Sequence, residues 1–95
     1  MLLKLALLEQ IKAGEVDLVF WRWSRPSVKP GGTLKTKLGL LSIGAITDMD
    51  PDAVTSAEAQ RAGFTDVAEF RAWLDTMKPG HLFQRIEVSF PEEAL

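Results

Sequence analysis

The 95-residue chain has no cysteine and one histidine. Without cysteine there is no disulfide, no thiolate zinc site and no cysteine nucleophile. A single histidine excludes His-rich metal sites and leaves His81 as the one candidate for a His-based triad. No apolar run approaches the ~20 residues of a membrane-spanning helix. The opening Met1-Leu2-Leu3-Lys4 stretch has no long apolar region and soon meets Glu9. No signal peptide is expected, and the expected location is the cytoplasm. A chain this short buries a thin core, so one domain over 1–95 is expected. What is present, 46% apolar and 25% charged residues, is the composition of a soluble globular domain, not of a disordered tail.

Acid is missing from one long stretch. Residues 18–47 hold five basic side chains, Arg22, Arg25, Lys29, Lys35 and Lys37, and no Asp or Glu. Residues 1–40 carry seven Lys/Arg against three acids, and residues 41–95 carry four against ten. The net charge of −2 is thus the sum of a +4 half and a −6 half. Such an asymmetry is compatible with a positive surface for a polyanion, and equally with solvated loop charges.

Hydrophobic periodicity predicts a helix over 2–13, with Leu3, Leu7, Leu8 and Ile11 on one face and Gly14 as its stop. Residues 17–23 read as a strand, with Leu18, Phe20 and Arg22 on one face and Val19, Trp21 and Trp23 on the other. Pro30-Gly31-Gly32 marks a turn, after which 33–36 and 40–47 read as strands. Gly44 interrupts the second of these, as at a bulge or a close approach. Thr55-x-x-Glu58 is a capping box for a short helix ending at Gly63. Asp66-x-x-Glu69 is a second, leading a helix to about Met77 with Val67, Phe70, Trp73 and Leu74 at helical spacing. Residues 82–90 alternate as a half-buried strand, with Leu82, Gln84, Ile86, Val88 and Phe90 on one face. The expected class is α+β: a small mixed sheet or barrel with about three short helices.

Four stretches in order resemble the ASCH domain, a branch of the PUA-like fold. They are Ile11-Lys12-Ala13-Gly14-Glu15, Phe20-Trp21-Arg22-Trp23, Val28-Lys29-Pro30-Gly31-Gly32-Thr33, and the run from Thr55 to Phe64 followed by Val67 to Trp73. The resemblance spans about residues 5–90. It implies a barrel-like sheet with a cleft on one side, an arginine at the position of Arg22 lining that cleft, and binding of RNA or modified nucleobases. Hydrolytic ASCH members carry Gly-x-Lys-Thr-x-Thr after the first helix, with the lysine and a threonine in catalytic roles. Here that stretch is Gly14-Glu15-Val16-Asp17-Leu18-Val19, so Val16 stands at the lysine and Asp17 and Val19 at the threonines. Valine supplies neither nucleophile nor proton. The resemblance therefore carries the fold and not the amidohydrolase activity, and it implies no cofactor.

The candidate binding residues are Trp21, Arg22, Trp23, Arg25, Lys29, Lys35 and Lys37. Aromatic faces stack on bases, and arginine adds phosphate pairing and planar stacking. The competing reading is that one tryptophan is core, that Arg22 is a cross-strand partner and that the lysines are solvated charges. Glu69 is the one weak catalytic candidate, and it serves equally as a helix cap. His81, in a loop without an oriented partner, is a poor metal ligand or base. Asp48-x-Asp50-x-Asp52 opens like a calcium loop, but Ala53 replaces the required glycine and Ala59 the closing glutamate, so no metal is expected. The expected function is an RNA- or nucleotide-binding module with a basic, aromatic-lined cleft, with single-stranded nucleic acid as partner and no membrane. A ribonuclease or nucleoside amidohydrolase with a rearranged site, and a degenerate protein-interaction domain, remain as alternatives.

Overall fold

Four antiparallel strands form one curled sheet, a half-barrel, in a computed structural model that describes residues 3–91. The strands are β1 (Leu18–Trp23), β2 (Thr33–Thr36), β3 (Gly39–Asp48) and β4 (Leu82–Ser89), in the order β1-β4-β3-β2. Helix α1 (Leu5–Lys12) precedes the sheet, and α2 (Ser56–Arg61) and α3 (Val67–Leu74) lie in the β3–β4 connection. The fold class is the expected α+β with three short helices.

Strand alternation sends side chains into two cores. Val19, Trp23, Leu41, Ile43, Ile86 and Val88 fill the concave face, with Ile11 of α1 and Val16 closing it. Leu18, Phe20 and Phe83 fill the convex face, with Val54, Ala59, Phe70 and Leu74 from the helical segment packed on them. Phe20 stacks on Phe83 with centroids 5.6 Å apart and meets the edge of the Phe70 ring at 5.2 Å. The half-buried strand expected over 82–90 is found in β4: Phe83 and Gln84 are both buried in this central strand, and beyond them buried Ile86 and Val88 alternate with partly exposed Arg85 and Glu87. Gly44 sits where the β3–β4 register slips by one residue, and a Cβ there would lie 3.1 Å from Glu87 Cβ.

Of the two expected capping boxes, one closes and the other is made by half. Thr55 and Glu58 close a reciprocal capping box on α2. Asp66 accepts from Glu69 N–H at 2.8 Å, but the Glu69 carboxylate turns to Thr65 instead of Asp66, accepting from its N–H and its hydroxyl. Helix α1 has no side-chain cap at Lys4 and begins at Leu5. Leu2 of the expected helix lies outside the described residues. Helix α3 ends at Leu74, three residues short of Met77, because the last turn tightens to i→i+3 bonds, Thr76 N–H to the Trp73 carbonyl and Met77 N–H to that of Leu74.

Candidate functional site

Where the strands place the candidate side chains decides what each can do. Arg22 continues the convex face of β1 beyond Phe20 and reaches the end of α3. Its guanidinium donates to the carbonyls of Leu74 at 3.2 Å, Met77 at 3.1 Å and Lys78 at 3.3 Å. These carbonyls lie at and just beyond a helix C-terminus, where a cation is favoured twice over, by hydrogen bonding and by the helix dipole; that of Leu74 also accepts from the Met77 N–H. Arg22 thus fastens α3 to β1. Trp23, on the concave face, is 8% exposed and donates its indole N–H to Gln84 Oε1 at 2.7 Å. The Gln84 amide in turn donates to Asp48 at 2.7 Å, so a buried polar side chain is satisfied at both ends. Trp23 and Arg22 therefore serve packing and helix anchoring.

Trp21 packs beside Trp23, ring centroids 6.3 Å apart, and extends past it. It is half-buried on the open side of β1 and lines a cleft of about 360 Å³ between α1, β1 and the α2–α3 segment. Leu3, Leu7, Phe64, Trp73 and Met77 complete apolar walls, and Lys4, Gln10 and Glu69 supply polar groups. Phe64 and Trp73 lie 5.3 Å apart and tilted, so one wall is an aromatic pair. The size falls at the lower end of the ~300–1,000 Å³ of small-molecule sites, and an apolar lining with a few polar groups is their usual makeup. Glu69 lines the cleft, and its carboxylate accepts from Thr65 and not from Asp66.

Four consecutive residues of β1, Leu18 to Trp21, line the cleft. A cavity on one face of a strand touches alternate residues, so this one lies along the strand's edge. The parity follows from a single bond: Val88 N–H donates to the Asp17 carbonyl at 3.1 Å. In the antiparallel register Val19, Trp21 and Trp23 then turn their main-chain groups toward β4, and Leu18 and Phe20 turn theirs outward. Among the described residues no hydrogen bond meets these outward groups.

Of the other candidate cations, Lys35 and Lys37 are far from this edge in sheet order. Lys35 and Lys37 lie on β2 and its turn to β3, at the opposite margin of the sheet, and Arg25 and Lys29 lie on the β1–β2 loop. All four are exposed, and among the described residues none makes an ion pair. Leu40, paired with Lys35 across the hairpin, is 55% exposed. The ion pairs present are Arg61–Asp17, Arg71–Asp52 and an Arg85–Glu58–Glu87 group. The hydrogen bonds that Arg61 donates to Asp17 raise the Arg61 pKa above its ordinary value.

The residues aligned with the hydrolytic motif carry no free reactive group: Val16 and Val19 are core, and Asp17 is bound in a two-pronged pair by Arg61. His81 is exposed. Asp48 accepts from Gln84, Asp50 caps the 3-10 turn Pro51–Ala53, and Asp52 pairs with Arg71, so the three aspartates are each engaged separately. Among the described residues no group of three or more His, Cys, Asp and Glu is placed to hold a metal, and no helix is long and apolar enough to cross a membrane.

Sequence reasoning missed Leu3, Leu7, Gln10, Phe64 and Met77 as cleft residues and read Trp73 as core. A signal was present. The apolar stripe of α3 is wider than one sheet face can cover, because it runs through Val67, Phe70, Trp73 and Leu74 and on to Met77. Compared with family models, with curated proteins and with solved structures, the chain matches none.

Proposed function

We propose that the protein binds a nucleobase, as part of single-stranded RNA or as a nucleotide, in the cleft beside β1. The observation that carries this is the cleft itself: about 360 Å³, apolar, with Trp21, Phe64 and Trp73 on its walls and Gln10 and Glu69 among its polar groups. Planar heteroaromatic rings gain roughly 1–3 kcal/mol per base by stacking on such side chains. Arg25, Lys29, Lys35 and Lys37, without an ion pair among the described residues, supply the long-range attraction a phosphate chain responds to, in a molecule whose net charge is −2. The resemblance to ASCH domains points the same way. Hydrolysis by the family's route has no support, since its lysine and threonine positions hold two core valines and an ion-paired aspartate.

Tryptophan fluorescence titration with nucleoside monophosphates and short single-stranded RNAs tests the reading. Saturable binding tighter than about 1 mM is expected, with RNA affinity falling as salt rises and with Trp21→Ala weakening binding roughly tenfold or more. Absence of saturable binding to every one of these probes overturns it.

A further inference from the structure

The cleft has two chemically different ends, because three segments enter it together. The Asp17 N–H donates to the Arg61 carbonyl at 3.1 Å, just before β1 enters the cleft at Leu18. Gln10 of α1 lies at the same end, where a Cβ on Gly63 would come 3.7 Å from its Oε1. Glu69 of α3 lies there too, since its two carboxylate oxygens accept from the Thr65 N–H at 3.2 Å and hydroxyl at 3.3 Å. Residues 61–65 thus gather an amide and a carboxylate at one end. Toward the other end α1 brings Lys4, about 9 Å along its axis from Gln10. There β1 brings Trp21 and α3 brings Met77, whose carbonyl accepts from Arg22, the neighbour of Trp21, at 3.1 Å. Phe64 and Trp73 form the aromatic wall between the ends.

We infer that the cleft takes its ligand end-on, as a nucleotide with an exocyclic amino group of its base at Glu69 and its 5′-phosphate at Lys4. This rests on the base-binding reading of the same cleft and names the ligand class within it. Thr65 holds both oxygens of the Glu69 carboxylate and fixes its plane, and each oxygen keeps the capacity to accept a second bond. A carboxylate so placed takes the amino group of adenine or cytosine. Hypoxanthine and uracil bring a carbonyl to the same place, and two acceptors do not pair. At the far end the Lys4 ammonium meets phosphate as a point charge. Lys4 is exposed, so the phosphate stays at the solvent side while the ring lies between the aromatic walls.

The test compares adenosine 5′-monophosphate (AMP) with adenosine and with inosine 5′-monophosphate (IMP), by tryptophan fluorescence titration at low ionic strength. AMP is expected to bind roughly threefold to tenfold more tightly than either. Lys4→Gln is expected to erase the advantage over adenosine and keep that over IMP. Glu69→Gln is expected to do the reverse. Lys12→Gln, which removes a charge from the same helix outside the cleft, is expected to change neither ratio. If AMP binds no more tightly than adenosine, or if Lys12→Gln erodes that ratio as much as Lys4→Gln does, the inference is overturned. Equal binding of AMP and IMP, or a preference that survives Glu69→Gln, also overturns it, and the binding itself leaves the base-binding reading standing. The comparisons on the parent protein and on Lys4→Gln decide the matter even where circular dichroism shows Glu69→Gln unfolded. A short oligoadenylate separates the two sources of this chemistry: tighter binding than AMP marks a residue of a chain, and equal or weaker binding a free nucleotide, each supporting the inference. If no nucleoside, nucleotide or RNA binds, both readings fall.

Discussion

The sheet has two open edges, and they are built on opposite principles. The β2 edge is four residues long, exposed, and carries Lys35 with Lys37 just beyond. Shortness and lysine are two of the means by which proteins keep an edge from pairing with another chain. The β1 edge is six residues long, and its first three, Leu18 to Phe20, are wholly apolar. Its one cation, Arg22, is turned away and spent on the end of α3. Left alone, such an edge would be an aggregation hazard. Here α1 and the α2–α3 segment roof it, leaving a cleft instead of a seam. An edge protected by a roof with a ligand-sized gap reads as a site, whereas an edge protected by lysines reads as a boundary that also attracts anions.

The comparison can be broken most severely at the base of the β1 edge. Phe20→Ala removes a ring that packs on both Phe83 and Phe70 and is expected to destabilise the fold by about 3–5 kcal/mol in urea denaturation. Gly80→Ala attacks the same strand from its end. A Cβ there would lie 2.6 Å from the Trp23 carbonyl carbon, so backbone must move, and a loss of roughly 1–3 kcal/mol follows.

Next in size is Arg22→Ala. It removes the guanidinium from three carbonyls at the α3 end, of which Leu74 keeps the Met77 N–H, and is expected to cost about 1–2 kcal/mol, reduced from a buried charged bond's worth by partial exposure. Arg22→Lys recovers little, since one ammonium cannot reproduce the fork. Amide exchange should show the last turn of α3 fraying first. Trp21→Ala sharpens the comparison from the ligand side. It should weaken base binding roughly tenfold or more, at a smaller stability cost than Phe20→Ala because Trp21 is only half-buried.

The smallest effects belong to the β2 edge. Lys35→Ala with Lys37→Ala should leave the urea midpoint within about 0.5 kcal/mol of the parent. The same pair should flatten the salt dependence of RNA binding by about 1.4 in logarithmic slope if both contact phosphate, at ~0.7 per contact for single strands. Binding of an uncharged nucleoside should not change.

Much of this architecture was legible in the residues because local rules and tertiary packing agree. The alternation of β1 and β4, the capping box at Thr55 and Glu58 and the bulge at Gly44 are short-range patterns with direct mechanisms. The site was legible only in part. Trp21 and Glu69 line the cleft, but Arg22 shares a strand with Trp21 and faces the other way. Its partners are 52 to 56 residues distant in sequence, and no local pattern announces which helix end an arginine will find. Trp23 illustrates the same limit, since its burial depends on Gln84 of the neighbouring strand. Trp73 and Phe64 were hidden for the opposite reason: a helical stripe reads as core whether its margin meets a sheet or a cleft. The outward parity of Leu18 and Phe20 is a property of strand pairing and exists only once β4 is in place.

The central claim, that the roofed β1 edge and not the lysine edge takes the base, is tested most directly by amide NMR of the labelled protein titrated with an uncharged nucleoside. Shift changes are predicted at Leu18 to Trp21, Phe64 and Trp73, with Thr33 to Lys37 unmoved. Changes confined to Thr33 to Lys37, with the β1 edge silent, would contradict the account.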